Sequence, residues 1–267
     1  MLRDITIGQY FPGNSIIHRL DPRFKIVITI LYIVMLFTGS SYICLAVGAV
    51  YTFGAILLSR IPLKMFFKSV KPLFIFLMIT ALINLLFMSR GNVLFHWKFI
   101  KITDEGVNTS AFMVIRIVLL IMGSSLLTYT TSPITLTDAI ERLLSPLRKI
   151  KFPVHELAMM MSIALRFIPT LIEETDKIMS AQKARGAEID TGSFTTRAKN
   201  LISILVPLFI SAFRRADELA TAMECRCYHG GEGRTRLRQL KSAPRDYIAL
   251  GITILFLAAV IVLSRLF

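Results

Sequence analysis

Five apolar runs, at about residues 24–38, 42–59, 70–88, 110–130 and 247–264, constrain this chain more than any other feature. At a helical rise of ~1.5 Å per residue, a bilayer crossing takes ~17–25 such residues. In hydrocarbon each backbone N–H and C=O must find its partner inside the same segment, which an α-helix provides. The pattern predicts an all-α polytopic membrane protein with about five transmembrane helices. The first run is the shortest, charge-free only from Ile26 to Thr38 before "GSS" interrupts it. A start at Pro22, with Arg23 and Lys25 snorkelling to the headgroups, supplies the missing length. Arg116 lies inside the fourth run, close enough to its start either to snorkel or to pair with a neighbouring helix, and the second option marks a functional-site hypothesis.

Charge orients the runs. The chain carries 31 Lys and Arg against 17 Asp and Glu, and basic residues near helix ends stay in the cytoplasm. "SRIPLKMFFKSVKP" holds Arg60, Lys64, Lys68 and Lys71 with no acid, so it faces in. The loop from Ser89 to Ser110 offsets Arg90, Lys98 and Lys101 with Asp104 and Glu105, so it faces out. Alternation puts the N-terminus inside with Arg3, Arg19 and Arg23, together with everything from Ser132 to Arg245, which carries more than half of the basic residues. The expected organisation is four N-terminal membrane helices over 1–131, a cytoplasmic domain of amphipathic helices over 132–245, and a last membrane helix over 246–267. The opening "MLRDITIGQYFPGN" has none of the marks of a signal peptide, so neither removal nor export is expected, and the apolar runs predict a multi-pass cell-membrane location. A basic excess also suits nucleic acid, but no basic face interleaved with aromatics and no nucleic-acid module is present, so no nucleic-acid partner is expected.

The block from Ser132 to Arg245 reads as helices. "SPITLTDAIERLLSPLRKI" opens on Ser132 as a cap with Pro133 at the first helical position and breaks at Pro146. A second helix runs from about Val154 to Ala184, with Leu165, Ile168, Ile172 and Met179 on one stripe and Glu173, Asp176, Lys177 and Ser180 on another. A third runs from about Thr195 to Cys227, with Leu201, Leu205, Leu208, Ala212, Leu219 and Met223 opposite Arg214, Asp217, Glu218 and Thr221. Amphipathic helices of this kind are expected on or under the membrane rather than across it.

The two long helices repeat one design. Each has an internal proline, Pro169 or Pro207, where a hinge-like kink is expected. An acidic stretch follows, then a small residue, three others and an arginine: Ala181 to Arg185, and Ala222 to Arg226. Glycines come next, at Gly186 and at Gly230 and Gly231. A guanidinium keeps its charge, offers five donors in a flat fork and tolerates burial against carboxylates and carbonyls. Small neighbours such as Ala184 and Gly186 let a partner close around it. Taken singly, each arginine reads as a complement to the helix dipole or a ligand for lipid phosphate. The matched pair favours docking onto two matched receivers.

"GQYFPGNSIIHRLDPRFKI", "ALRFIPTLIEETDKIMSAQKARGAE" and "VPLFISAFRRADELATAMECRCYHGGEGRTR" resemble, over essentially the whole length, the transmembrane T component of energy-coupling factor transporters. The resemblance implies five membrane helices and crossed coupling helices whose Ala-Arg-Gly ends insert into grooves on two ATP-hydrolysing subunits. It also implies a small membrane-embedded S subunit that captures a vitamin or other micronutrient and carries the specificity. The ATPase-binding residues it implies are Ala184, Arg185, Gly186, Cys225, Arg226 and Cys227, although the second triplet departs from Ala-Arg-Gly. Met159, Met160 and Met161 serve either as an adaptable S-subunit surface or as helix core.

Enzyme readings fail on their motifs. "HELAM" at His155 has Met159 where a zinc protease helix needs its second histidine. "GGEGRT" at 230–235 lacks the Gly-Lys-Ser or Gly-Lys-Thr ending of a P-loop, so ATP chemistry is expected in a partner, with no cofactor here. Cys225, Cys227 and His229 are too few and too close for an ordinary zinc site, and Cys44 lies inside an apolar run. Asp21 and Pro22 are expected to shape the start of the first membrane helix. The alternative function is a self-contained carrier or channel, for which the spans hold few polar groups beyond Asn84 and Arg116.

Overall fold

The computed structural model describes residues 10–87, 93–97, 100–150, 152–186, 194–230 and 240–266. Arg3, Arg90, Lys98 and most of the "GGEGRT" segment lie outside them. Among the described residues the chain forms α1 (Pro22–Thr38), α2 (Tyr42–Ser59), α3 (Leu63–Val70), α4 (Phe74–Phe87), α5 (Asp104–Thr130), α6 (Pro133–Leu144), α7 (Val154–Ala184), α8 (Phe194–Glu224) and α9 (Pro244–Leu266). Between α4 and α5, β1 (Val93–Trp97) pairs antiparallel with β2 (Ile100–Thr103), a hairpin that hydropathy did not distinguish from loop. The fold is otherwise helical. The described residues divide into two compact units, one from Gly8–Ser132 with Leu240–Phe267, the other from Pro133–Gln239.

Five stretches are long and apolar enough to cross a bilayer: Tyr42–Ser59, Leu63–Leu86, Asp104–Thr130, Val154–Ala184 and Pro244–Leu266. Three enclose or equal expected runs, and a fourth, Leu63–Leu86, covers most of the run expected at 70–88. It starts earlier than hydropathy predicts, because a 3₁₀ turn at Lys71–Leu73 carries the chain through Pro72 with α3 and α4 end to end. The fifth member of the set is not α1, which at 17 residues is at the short end of what spans, but α7. In α7 the half before Pro169 carries only Glu156 and Arg166 as full charges, and the half after it holds Glu173, Glu174, Asp176, Lys177 and Lys183. Length and composition thus admit as a span a helix whose amphipathic stripe predicts a surface location.

In the first unit, α1, α2, α5 and α9 meet around Tyr32, Met35, Leu36, Cys44, Leu45, Leu119 and Val260. A second cluster, Ile56, Ile61, Phe66, Met122 and Tyr129, joins α2, α3 and α5. Tyr32 ties the first cluster together: its hydroxyl donates to the Leu119 carbonyl at 2.7 Å and lies 2.8 Å from Thr52 Oγ1. Its ring fills the space over Gly123 where any side chain would collide with it. Arg116 resolves to a partner in the turn between α1 and α2, donating to the Gly39 carbonyl, with its guanidinium carbon 4.5 Å from the Phe112 ring centre.

Where α1 and α9 begin and α5 ends, buried charges stitch the first unit together. Asp21 caps α1, accepting from the Arg23 backbone N–H at 2.9 Å and from its guanidinium at 2.6 Å. The Asp21 N–H donates to Asp246 Oδ1 at 2.9 Å, and Asp246 Oδ2 accepts from the Ala243 N–H at 2.7 Å. Lys25 Nζ donates to the carbonyls of Thr130 at 2.9 Å and His18 at 3.3 Å, and to Thr131 Oγ1 at 3.3 Å. The "HRLDPRFK" motif therefore starts α1 and also fastens it to its neighbours.

Candidate docking site at two helix ends

The second unit carries both repeated helices. α6 opens with Pro133 at its first position and gives way at Pro146 to a 3₁₀ turn over Ser145–Ile150. It packs on α7 through Ala139, Val154 and Ala158, all buried, and His155 Nδ1 lies 3.0 Å from Glu141 Oε1. α7 and α8 stay unbroken through Pro169 and Pro207. A proline at position 207 has no N–H for the Ser203 carbonyl one turn back. Gln182 of α7 supplies the donor instead, its Nε2 reaching Ser203 O at 3.3 Å.

A second cross-link fixes direction. Arg215 Nη2 donates to Glu174 Oε2 at 3.2 Å, a pair 41 residues apart in sequence. Passing from Glu174 to Gln182 along α7 means passing from Arg215 back to Ser203 along α8, so the two helices run antiparallel. The spacing of the Glu174–Arg215 pair is also that between Arg185 and Arg226, so equivalent positions of the repeat meet each other there. Contact between equivalent positions is what a local two-fold relation between the arms produces. The two arginines consequently stand at opposite ends of the pair. Ser203, opposite the α7 tip, lies about two dozen residues from Arg226, which at ~1.5 Å per residue puts the tips on the order of 35 Å apart.

Both ends are built alike. Arg185 is the C-cap of α7, its N–H donating to Ala181 O and Gln182 O. Gly186 follows at φ 87° and donates to Lys183 O at 3.0 Å. At the end of α8, Arg226 is followed by Cys227 at φ 52°, which donates to Glu224 O at 2.8 Å, while the Tyr228 N–H reaches Met223 O at 3.1 Å. These are the two bonds of a Schellman ending, with Arg226 as C-cap and Cys227 in the left-handed position that Gly186 holds on α7. The Cys-Arg-Cys triplet thus keeps the backbone of the Ala-Arg-Gly one.

Ala184, Arg185, Gly186, Cys225, Arg226 and Cys227 are all exposed, and among the described residues no acid pairs with either guanidinium. Each tip is an uncommitted fork on the negative end of a helix, open on the glycine side of the α7 tip, where nothing lies within 4 Å of a Cβ built on Gly186. Met160 and Met161 are exposed and Met159 is half-buried. The Glu174–Arg215 clasp and the Gln182 contact went unread in the sequence, although the 41-residue repeat offset would have paired Glu174 with Arg215. No described cluster of His, Cys, Asp or Glu could hold a metal ion.

Residues 13–237 match the family model described as CbiQ, cobalt transport protein. A protein of Ruminiclostridium cellulolyticum named energy-coupling factor transporter transmembrane protein EcfT is 53% identical over 267 residues, covering 100% of both chains. Its namesake from Clostridium kluyveri is 55% identical over 267 residues, 100% of this chain and 98% of the relative. The protein of that name from Bacillus subtilis is 44% identical over 265 residues, 99% of this chain and 100% of its own.

Proposed function

The chain belongs to the family of energy-coupling factor transporter transmembrane proteins, the T components, and from that premise we propose that it links ATP hydrolysis in two partner ATPases to uptake through an S subunit. The observation that carries this reading is the pair of exposed C-cap arginines, Arg185 and Arg226, at opposite ends of antiparallel, repeat-related helices. Two equivalent tips suit two equivalent receivers. Each guanidinium enters an acidic or carbonyl-lined groove of one ATPase, with Ala184 and Gly186, or Cys225 and Cys227, against the groove walls. α7 and α8 act as cytoplasmic levers, and Pro169 and Pro207 mark where they bend. When the ATPases close, the tips move relative to each other, and the levers pass that motion to the surface that holds the S subunit. Met159, Met160 and Met161 contribute a repackable apolar patch to that surface. The chain itself is non-catalytic, lies in the bacterial plasma membrane with its N-terminus in the cytoplasm, and serves import of a vitamin or other micronutrient chosen by the S subunit.

Arg185→Ala, Arg226→Ala and the double substitution test the docking assignment by affinity purification. An interface arginine that is a hot spot is worth ~2 kcal/mol or more on truncation, so each single variant weakens one ATPase contact by about thirtyfold or more, and the double variant loses both ATPases. Full ATPase retention by the double variant, with hydrolysis still driving uptake, would sink the assignment.

A further inference from the structure

In the first unit a cleft of about 480 Å³ lies between α1, α2, α5 and α9. Val50 and Leu58 of α2 and Ile248 and Ile252 of α9 line it and are exposed, so it opens sideways, toward bilayer hydrocarbon. Its volume is that of a small-molecule pocket, ~300–1,000 Å³. Water does not suit it, because a buried water needs two to four polar partners and the polar groups of the wall are engaged elsewhere. Tyr32 bonds to Leu119 O and Thr52, Tyr51 to Thr253, and Lys25 to the carbonyls of Thr130 and His18. A methylene chain, needing only dispersion contacts, fits such walls. At one end of the cleft stands Arg245, in the first turn of α9, exposed and without an acidic partner among the described residues. That same end collects the start of α1 and the end of α5.

We propose that this cleft is a binding site for one anionic phospholipid, an acyl chain lying between α2 and α9 and its phosphate paired with Arg245. Its assignment to the inner leaflet rests on the cytoplasmic orientation given above; the site itself does not. The full chain, delipidated in detergent, is titrated with phosphatidylglycerol or with phosphatidylcholine of identical chains, and bound lipid is read by native mass spectrometry. One attracted charge corresponds to a preference of about fivefold for phosphatidylglycerol. Arg245→Gln brings the ratio of the two lipids near one. Gly54→Leu, at a wall position where nothing lies within 4 Å of a built Cβ, fills the cleft and abolishes retention of both. Should Gly54→Leu fail to fold, Ala55→Leu takes its place. Equal retention of the two lipids by the unaltered protein, a ratio unmoved by Arg245→Gln, or lipid kept by the filled variant overturns the proposal. So does a photo-reactive residue at Val50 that, in the assembled transporter, cross-links to a protein subunit instead of lipid.

Discussion

Cys227 shows how little of a helix ending is written in residue names. It sits at φ 52°, where a side chain costs ~1–2 kcal/mol, and Gly186 meets the same demand at φ 87° without that cost. Residue identities present "ARG" and "CRC" as different motifs, yet the two endings place their arginines alike, because a left-handed residue other than glycine leaves no mark in sequence. Two substitutions follow from this. Cys227→Gly raises stability by about 1 kcal/mol, and Gly186→Ala lowers it by ~1–2 kcal/mol, both read as shifts of the detergent-solubilised melting transition. A fall in stability with Cys227→Gly would mean the thiol makes contacts that outweigh the strain. Asp246 carries a different lesson. Nothing in "APRDYIAL" sets its carboxylate apart from a helix-start acid, but it is 1% exposed and holds the N–H groups of Asp21 and Ala243. Asp246→Ala leaves two N–H donors without that acceptor, at ~1–3 kcal/mol for each that stays buried, and the melting transition falls accordingly.

Among the elements, four of the five expected spans were legible because a bilayer imposes length and apolarity together, whereas the 17-residue α1 is not among the stretches long and apolar enough to cross and α7, whose stripe reads as a surface helix, is. Span ends were less legible: α3, whose polar face carries Lys64 and Lys68 while Phe66 is buried, continues through the 3₁₀ turn at Lys71–Leu73 into α4 and extends the third span back to Leu63. Which helix packs on which was not legible at all, since small-residue contacts are set by pairs distant in sequence. Gly123 is such a contact. Gly123→Ala drives a methyl into the Tyr32 ring, whose hydroxyl is already held by Leu119 O and Thr52, so the ring has no cheap retreat. Overpacking of this kind costs ~1–3 kcal/mol. Gly54→Ala, which adds its methyl to open space inside α2, serves as the control and leaves the melting transition unchanged or raised by up to about 1 kcal/mol, the helix preference of Ala over Gly. Equal behaviour of the two variants would show that Tyr32 moves aside.

For the whole molecule, the internal repeat was visible because arginine and proline recur at similar offsets, but two helices of one amphipathic design can pack parallel or antiparallel, and only the cross-contacts distinguish the cases. If the tips dock on ATPases as proposed, the antiparallel arrangement bears on transmission: tips at opposite ends of the pair share the middle, where Glu174 and Arg215 meet, so that contact is where displacement of one arm would reach the other. The pair is half-exposed, with side chains 27% and 35% accessible, and so adds no more than ~1 kcal/mol to stability. Its loss should leave the fold and both arginine tips intact. Glu174→Arg therefore sets two guanidiniums against each other at the crossing without touching the docking ends. ATPase subunits still co-purify with this variant, but uptake per ATP hydrolysed in proteoliposomes falls severalfold. Adding Arg215→Glu restores attraction with the signs exchanged, and coupling returns toward the parent value. Recovery in the double variant separates an electrostatic clasp from mere tolerance of bulk at the crossing. Unchanged coupling in Glu174→Arg would instead mean that each arm conveys its own motion independently, and that the contact between equivalent positions holds the pair together without transmitting anything.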